Sequence, residues 1–582
     1  VGLTAAASLA GGLTLLSAKA DVERGIEAAR NGLSAARGGD PEAVVDQLET
    51  AADALDAAET TANSPLARPL RLIPVAAQHH QAITTATRNG SLIARQASRA
   101  TISADISSIS MSAGSVDLSA LTAMEPDLSE TVALLAAGVD ELDDARSPWL
   151  LSPVASRMES LTDEMRAVLP EAQIAAHAAR VVPGMLGQDR PRRYFVAFGS
   201  PAESRELGGF IGSWALLEFD KGKVSQIDAD RVNVLYDLTR SNAELSNLDY
   251  PLWYINRAKP QIWPQNLASS PQLSTVADAS RDLLDGLGDA PIDGFVYLDG
   301  YVLAALLKLT GPVTVNDLDT TLTATNAVDF FFDEQYRVAE RGAAKSELDG
   351  IFQSVFASLI DSQLPGPERL GRELGPVARA GRLQVATFDA DENAFLRAIR
   401  LQRLFVLSPA IPDSFAVIQA NGSASKLDTY LHRDITYDIA VNADGQLTGS
   451  VVVDLSSQIP DDVPAYALGT NSPGVNTTFL SLYTPHELIG VQLDGQDVEH
   501  QLVQEFGYWR YEVEVELDAN TSRSIVYELA GHVDPEQRYG LSIWHQPLVN
   551  NDDVHVEIET ADGSTINRSF ELVENIVIGP TN

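Results

Sequence analysis

The chain contains no cysteine among its 582 residues. Disulfides, thiol nucleophiles and zinc sites built on cysteine are therefore excluded, and cysteine usage gives no indication of the redox compartment. Basic residues are also scarce, because 41 Lys and Arg stand against 80 Asp and Glu, a formal net charge of −39. Such an acidic surface argues against binding nucleic acid through its phosphates and against broad adhesion to an anionic membrane face. We therefore expect no nucleic-acid partner, although net charge does not exclude a local basic pocket.

Several common catalytic signatures are missing as well. The sequence holds no Gly-x-Ser-x-Gly elbow, no Walker loop for phosphates and no His-Glu-x-x-His zinc motif. Its nine histidines are scattered along the chain. Carboxylates are so plentiful that a glycosidase-type pair is not excluded, but their spacing selects no particular pair.

Charge is absent from the first 18 residues, which are rich in Ala, Leu and Gly. As a helix, this segment would span about 27 Å, close to the apolar thickness of a bilayer. One interpretation is the distal part of a transmembrane anchor, and the other is a buried helix of small residues. We favour the anchor, so residues 1–18 are predicted to be a transmembrane or membrane-proximal helix. The protein would then sit at a cell membrane with its bulk outside the cytoplasm.

Residues 19–180 are predicted to form a helical stalk or bundle. Val22, Ile26, Ala29 and Leu33 recur at the spacing of one helix face. The abundant alanine lets helices approach closely. Such stripes favour packing within the chain over a coiled-coil site for a partner.

Short predicted strands alternate with helices over residues 181–410, which predicts a central α/β domain with an α-β-α-like sheet. The first two strands are predicted at 192–198 and 214–219, and a third ends at residue 231. Ligands in open sheets gather where strands end and loops begin. Charged residues and glycines collect at these ends, with Glu203 and Arg205 on a polar turn: Glu203, Arg205, Gly208, Gly209, Asp230 and Arg231.

Residues 411–582 are rich in alternating patterns and turn residues, and predict an antiparallel β-sandwich domain. A hairpin is expected where strand 429–441 turns at 442–446 into strand 447–455. This domain either binds a sugar or a partner or acts as a rigid spacer, and we favour the spacer.

Two segments carry a specific resemblance. They read RYFVAFGSPAESRELGGFIGS (193–213) and NGSASKLDTYL (421–431), and shorter matches follow at 292–296 and 309–313. Together they resemble the signature of an uncharacterised bacterial family, the domain of unknown function numbered four thousand and twelve. The resemblance implies an N-terminal anchor followed by a helical stalk, and it implies no activity.

The order of elements from the first strand onward is also remotely similar to the LytR-CpsA-Psr family. Those exported enzymes move a glycopolymer from a polyprenyl-pyrophosphate carrier to peptidoglycan, and they hold the pyrophosphate with arginines and an aspartate-bound magnesium ion. The resemblance implies roles for Glu203 and Arg205, for the Asp230-Arg231 pair and for Asn266, with magnesium as a possible cofactor. Three features depart from that family: the order at 230–231 is reversed, the proline that precedes this pair is absent, and the Arg-Ser-Asp motif before the second strand is missing.

Physical chemistry supports a pyrophosphate site at the same residues. Arginine offers planar, paired donors to anionic oxygens, so Arg205 and Arg231, with Asp230, are the predicted catalytic residues. The predicted substrate-binding residues are Glu203, Gly208, Gly209, Asn266 and Trp263, because glycine lets a backbone approach an anion and tryptophan can cover a lipid or sugar. The alternative is that Arg205 pairs with Glu203, that 230–231 is a solvated strand end, that the glycines form a turn or bulge and that Trp263 plugs a loop against the core.

Three functions follow from these observations. The first is a membrane-anchored phosphotransferase acting on a polyprenyl-pyrophosphate-linked glycan or cell-wall polymer, which requires Arg205 and Arg231 to converge on one cavity. The second is a non-catalytic envelope binding or scaffold protein, in which these arginines diverge or are ion-paired. The third is a glycan hydrolase with two facing carboxylates.

Overall fold

The computed structural model describes residues 2–65, 67, 71–103, 111–112, 114–242, 245, 249–315, 320–340, 358, 362, 365–406, 411–470 and 472–579. It has three parts, as predicted: an N-terminal helical region, a central mixed sheet with helices and a C-terminal region of two sheets.

Five helices make up the N-terminal region: α1 Gly2–Arg37, α2 Pro41–Ala62, α3 Pro74–Ser103, α4 Leu118–Asp144 and α5 Ser152–Met185. Each packs mainly on the next one along the chain. The carboxylate of Asp40 accepts a hydrogen bond from the backbone N–H of Ala43 at the start of α2, and Asp117 caps α4 in the same way. The sequence prediction of a helical bundle is confirmed.

The segment predicted as an anchor belongs to α1, which begins at Gly2; Val1 and the side chains up to Ser17 lie outside the described residues. Among the residues that the structure describes, no helix has the length and apolar character needed to cross a bilayer.

The central domain is a seven-stranded sheet in the order β1-β2-β5-β4-β3-β6-β9. Only β3 and β6 pair in parallel, so the sheet is mixed. Its strands, and the separate β7–β8 hairpin, are β1 Met111–Ser112, β2 Ser115–Val116, β3 Arg192–Arg205, β4 Gly208–Asp220, β5 Lys223–Arg231, β6 Gly294–Leu298, β7 Val313–Val315, β8 Thr320–Leu322 and β9 Gln384–Thr387.

Helices cover both faces of this sheet, because alternate residues of a strand point to opposite sides. Phe195 enters one core with α7, whereas Val196 enters another with α8. The helices of the domain are α6 Tyr236–Ser241, α7 Leu273–Leu283, α8 Gly300–Thr310, α9 Ala327–Asp329, α10 Gln335–Glu340, α11 Pro367–Arg379 and α12 Ala390–Ala398, with short 3₁₀ or π turns at Val232–Leu235, Tyr254–Ala258, Pro264–Asn266 and Phe330–Glu334.

The predicted polar turn at Glu203 and Arg205 is wrong, because both residues belong to β3, which runs on to Arg205. The register of β3 against β4 shifts between Ser200 and Ser204, so the strand continues through an irregularity. The cause is non-local: this extension is buried, and Ser204 and Arg205 are held by residues of the C-terminal domain.

The C-terminal domain packs two sheets, β16-β17-β13-β10-β19-β22 and β15-β14-β18-β12-β11-β20-β21, around one shared hydrophobic core. The predicted sandwich and its 442–446 hairpin are confirmed, although β10/β19 and β11/β20 pair in parallel. Its elements are β10 Asp413–Asn421, a 3₁₀ turn Leu427–Tyr430, β11 Leu431–Val441, β12 Gln446–Ser457, α13 Ala465–Leu468, β13 Asn476–Thr484, β14 Glu487–Leu493, β15 Gln496–Asp497, β16 Gln501–Glu505, β17 Tyr508–Leu517, β18 Ser522–His532, β19 Leu541–Trp544, β20 Asp552–Glu559, β21 Thr565–Leu572 and β22 Ile576–Ile578.

Candidate functional site

A cavity of about 520 Å³ lies where the central domain meets the C-terminal sandwich. We call it the interdomain cavity. Domain interfaces are a common place for ligand sites of this size. Its walls come from the end of β3, the irregular segment 253–269, the loop after β10, α13 and β13, through the residues Glu203, Arg205, Glu206, Phe210, Trp253, Arg257, Ala258, Trp263, Gln265, Asn266, Ser269, Ala420, Asn421, Gly422, Ser423, Ala424, Lys426, Tyr466, Thr470 and Phe479.

Arg205 is buried, and its guanidinium is held by its neighbours. Its Nη2 donates to Oε1 of Glu203 at 3.0 Å, its Nε to Oδ1 of Asn266 at 3.0 Å and its Nη1 to the carbonyl of Ser204 at 2.8 Å. These contacts fix the orientation of the guanidinium and place a carboxylate against its charge. The alternative in which Arg205 pairs with Glu203 matches this geometry.

Glu203 has a second cationic partner, which comes from the C-terminal domain. Its Oε2 accepts a hydrogen bond from Nζ of Lys426. Burial works against ionisation of Glu203, but the charges of Lys426 and Arg205 outweigh it and lower the pKa of this carboxyl. Both cations also lie over the ring of Phe210, Lys426 at 4.7 Å and Arg205 at 5.5 Å from its centroid. The two domains are therefore joined by an ion-paired triad at the cavity wall.

Asp428 lies behind this triad and ties together the two segments that carry the family resemblance. Its Oδ2 accepts from the backbone N–H and the hydroxyl of Ser204, each at 2.8 Å, and from Nδ2 of Asn421 at 3.1 Å. Its Oδ1 accepts from Nδ2 of Asn476 at 2.9 Å. Four donors on one buried carboxylate fix the position of the cavity wall.

A second ion-paired group borders the cavity through Arg257. Arg257 makes a two-point pair with Glu512, and its guanidinium lies 4.0 Å from the ring centroid of Phe479. Glu512 also pairs with Arg510, which lies under the ring of Trp253 at 4.3 Å. The cation of Arg257 is thus paired with a carboxylate, whereas the two cations of the first triad share the single carboxylate of Glu203.

Glu206 is the exception among the charged residues of the cavity. It is buried, and its Oε2 has no hydrogen-bond partner. Burial raises its pKa, although the nearby charges of Arg510 and Arg257 oppose this. A carboxyl that holds its proton more tightly than usual can donate a hydrogen bond or a proton to a ligand.

Aromatic and amide side chains complete the walls. Trp263 is 42% exposed and Tyr466 is 64% exposed, so their rings face the open part of the protein surface. Oε1 of Gln265 is buried without a partner. Nδ2 of Asn266 donates to the carbonyl of Ala258 at 2.8 Å, which leaves its Oδ1 for Arg205. The cavity therefore combines ring faces with amides and hydroxyls.

Of the predicted site residues, Glu203, Arg205, Asn266 and Trp263 line the interdomain cavity, whereas Arg231 and Asp230 do not. The strands β3 and β5 run in the same direction, but Arg205 stands opposite Gly208 and Arg231 opposite Ser213 on β4 between them. Five residues of strand separate these positions by about 17 Å along β4. At β5, Oδ1 of Asp230 accepts from the backbone N–H of Arg231.

Gly208 and Gly209 do not line the cavity but let backbones pack closely behind it. A Cβ on Gly209 would lie 2.2 Å from the carbonyl carbon of Ser200, and one on Gly208 would lie 2.4 Å from the hydroxyl oxygen of Tyr297. Gly209 thus permits the tight pairing of β3 with β4 that presents Glu203 and Arg205, and Gly208 leaves room for the ring of Tyr297.

The residues that sequence reasoning missed are Glu206, Arg257, Lys426, Asp428, Tyr466 and Phe479. Three of them lie inside the quoted segments, because Glu206 follows Arg205 directly and Lys426 and Asp428 belong to 421–431. No local signal marked Arg257 or Phe479, whose contact is made between domains.

Magnesium does not fit the residues of this cavity. A magnesium ion requires several oxygen ligands in near-octahedral geometry, but both oxygens of Glu203 already face cations. Across the described part of the chain, no group of three or more His, Asp or Glu side chains could hold a metal ion.

Comparison with protein families finds a match that covers only the central-domain part of this site. Residues 189–336, about a quarter of the chain, match the family described as "Protein of unknown function (DUF4012)". No curated protein matches the sequence.

Two solved structures show a limited likeness. One is a "putative nutrient binding protein" from Legionella pneumophila, with 7% identity over 25% of this chain and 55% of that protein and a TM-score of 0.18. The other is an M1 zinc metallopeptidase from Deinococcus radiodurans, with 13% identity over 26% of this chain and 42% of that protein and a TM-score of 0.14. The chain thus spans about half the length of each, and at such TM-scores neither likeness bears on fold or function.

Proposed function

We propose that the protein is a non-catalytic glycan-binding protein of the bacterial envelope, which holds a neutral stretch of an envelope polymer in the interdomain cavity. The observation that carries this proposal is the pairing of charge in the walls. Arg205 and Lys426 share Glu203, and Arg257 is matched by Glu512. A polyhydroxylated ligand would find many fixed hydrogen-bonding groups there, and each of the three lining cations is held in an ion pair, with one positive charge in excess where two cations share Glu203.

The aromatic residues fit the same ligand class. Sugar rings present apolar C–H faces and a rim of hydroxyls, so they suit sites that combine flat aromatic surfaces with a few placed polar groups. Trp263 and Tyr466 supply partly exposed rings, and Gln265 supplies a buried amide oxygen without a partner. Glu206, whose raised pKa favours the protonated form, is suited to donate a hydrogen bond to a sugar oxygen.

Transfer from a polyprenyl-pyrophosphate carrier is less well supported. A doubly phosphorylated leaving group needs cations whose charge is not already matched. Arg205 is committed to Glu203, and Arg231 lies outside the cavity. The second function class from the sequence therefore agrees better with the geometry than the first.

Titration calorimetry of the purified protein with short neutral oligosaccharides tests the proposal. Chitotetraose, maltotetraose and cellotetraose serve as probes, and inorganic pyrophosphate is the anionic comparison. We expect one neutral probe to bind and Trp263→Ala to weaken it by about tenfold or more, since central aromatic anchors dominate such sites. Trp149→Ala is the matched control, because Trp149 is 64% exposed and belongs to the helical region.

Two results would count against glycan binding. If no neutral oligosaccharide of a broad panel binds while the chain is folded, the proposal is wrong. If pyrophosphate binds instead and Arg205→Ala abolishes it, the transfer function is favoured.

A hydrolytic function has one observation in its favour. Glu206 and Glu203 line the same cavity, and their surroundings shift their pKa values in opposite directions, up for Glu206 and down for Glu203. Such a split separates a proton donor from an ionised carboxylate in glycosidases. Release of reducing ends from a bound oligosaccharide, lost in Glu206→Gln, would establish it.

A further inference from the structure

The helical region contains a second cavity, of about 410 Å³, which we call the bundle cavity. Its walls come from all five helices and are almost entirely aliphatic. They include the apolar stripe of α1 and, from α2, Leu48 and Leu55; the stripe consists of Val22, Ile26, Ala29 and Leu33. Water placed there would find few hydrogen-bonding groups, and cavities of this kind stay dry or take up apolar ligands.

A row of ion pairs bridges α1 and α5 along one side of the bundle. Arg30 pairs with Glu164 at 2.5 Å. A similar ion pair lies seven residues before and seven residues after this one along both helices. Glu23 pairs with Arg157 at 3.3 Å, and Arg37 with Glu171 at 3.4 Å. The two helices therefore run in the same direction and are joined through long side chains.

This row marks the opening of the cavity. Arg30, Glu164 and Glu171 are the charged residues in its lining, and each side chain is at least 40% exposed. The opposite side of α1 is closed by direct packing on α2. A Cβ on Gly25 would lie 2.7 Å from Cγ of Leu55, and one on Gly90 of α3 would lie 2.8 Å from Cδ1 of the same leucine. Leu55 packs directly against both glycines, so neither α1 nor α3 can move closer to it.

The dimensions of the cavity limit its occupant. It reaches from Val22 to Ala36 along α1, which is about 21 Å at the helical rise. A volume of about 410 Å³ spread over this length corresponds to a channel about 8 Å wide, which is narrower than the width of about 10 Å of a helix with its side chains. A peptide helix from a partner is therefore too thick, and a single unbranched or methyl-branched hydrocarbon chain fits.

We propose that the bundle cavity binds one aliphatic chain of a lipid, either fatty acyl or isoprenoid, which lies along α1 between it and α3 to α5. The polar end of the lipid would leave through the opening between α1 and α5, where charged side chains meet water. This site is separate from the interdomain cavity and does not depend on its function.

The test uses the full chain, purified without detergent, and cis-parinaric acid, a fluorescent fatty acid. We expect saturable fluorescence with one equivalent bound. Palmitate and geranylgeraniol are separate competitors, so the more effective one distinguishes an acyl from an isoprenoid ligand. The better competitor should also raise Tm, because a ligand of the folded state stabilises it by mass action.

Two variants narrow the cavity, and a third is the control. Ala97→Phe and Ala29→Leu add volume at lining positions and should weaken parinarate binding by about tenfold. Ala57→Phe changes an exposed alanine of α2 outside the lining and should leave binding unchanged. Absence of parinarate binding to the unmodified chain would overturn the proposal. Equal affinity in Ala97→Phe and Ala29→Leu, with Tm showing that both are folded, would overturn it as well.

Discussion

Asp428 and Ser204 are 224 positions apart in sequence, and one carboxylate oxygen of Asp428 accepts both the backbone N–H and the hydroxyl of Ser204 at 2.8 Å. Ser204 belongs to β3 of the central sheet, whereas Asp428 belongs to the turn before β11. This contact sets the position of the two neighbours of Ser204, Glu203 and Arg205. The geometry of the interdomain cavity therefore depends on docking between domains as well as on the central fold.

Asp428→Asn should separate the effect of this contact from that of side-chain size. The amide has nearly the same shape, but it carries no charge and turns one of the two accepting oxygens, which face Ser204 with Asn421 and Asn476 respectively, into a donor. We expect a loss of about 3 kcal/mol in the free energy of unfolding, measured by urea denaturation, because hydrogen bonds to a buried charge are lost. Asp438→Asn, at an exposed position of β11, is the control and should change stability by less than about 0.5 kcal/mol.

Gly209→Ala tests whether the close pairing of β3 and β4 is required. The added Cβ would meet backbone atoms of Ser200 at 2.2 and 2.3 Å, which cannot move aside as a side chain can. We expect a loss of at least about 2 kcal/mol of stability. Gly212→Ala in the same strand meets only the Phe210 ring, at 3.9 Å, and should cost less than about 1 kcal/mol. Equal effects of the two substitutions in urea melts would contradict the packing role of Gly209.

Much of the architecture could be predicted because it follows local patterns. The stripe of Val22, Ile26 and Leu33 predicts a helix face, and alternation over 429–455 predicts a hairpin. Both elements are present as α1 and as β11 with β12. The stripe alone could not show that it lines a cavity, since this depends on how α5 is held away from α1.

The candidate site was predictable only in part, for a physical reason. Glu203 and Arg205 stand out as charges beside glycines within one segment. Their partner Lys426 lies more than 200 residues further on, and the ion pair arises only when the sandwich docks on the sheet. The extension of β3 to Arg205 has the same origin, because local propensity favoured a turn there and tertiary burial decided otherwise.

Lys426→Met should make the protein less stable at neutral pH. The pKa of Glu203 is lowered in the folded chain because Lys426 and Arg205 outweigh the effect of burial. A lowered carboxyl pKa contributes stability above the unfolded pKa of about 4.3 and loses it as the pH falls through the folded value. We expect a loss of about 3 kcal/mol at pH 7, as for a broken buried pair, and a smaller loss below pH 4.

The matched control for that substitution is Lys308→Met. Lys308 pairs with Glu373 at 3.8 Å, but its side chain is 55% exposed. The change should alter stability by less than about 1 kcal/mol at either pH. A Lys426→Met penalty that does not shrink in acid would show that lost packing, not charge, is responsible.

Glu206→Gln should have the opposite dependence on pH. Burial raises the pKa of Glu206, so the folded chain binds this proton more tightly than the unfolded chain does. The contribution to stability is full below the unfolded pKa and is lost as the pH rises through the folded value. We expect Glu206→Gln to gain stability relative to the unmodified chain as the pH increases from 5 to 9 in urea melts. Glu514→Gln, at an exposed position of β17, should show no such trend.

The ion-pair row between α1 and α5 should contribute little to stability but should show specific coupling. Arg30 and Glu164 are 60% and 40% exposed, so water and salt screen their attraction. Arg30→Glu should lower the free energy of unfolding by less than about 1 kcal/mol, and adding Glu164→Arg should restore most of this loss. The restoration should be smaller in 1 M salt. Arg24→Glu provides the comparison, because Arg24 pairs with Asp21 within α1 and should show no coupling to Glu164→Arg. If the double-mutant cycle shows no coupling between Arg30 and Glu164, the relative position of α1 and α5 is set by the packing of α2 to α4 alone.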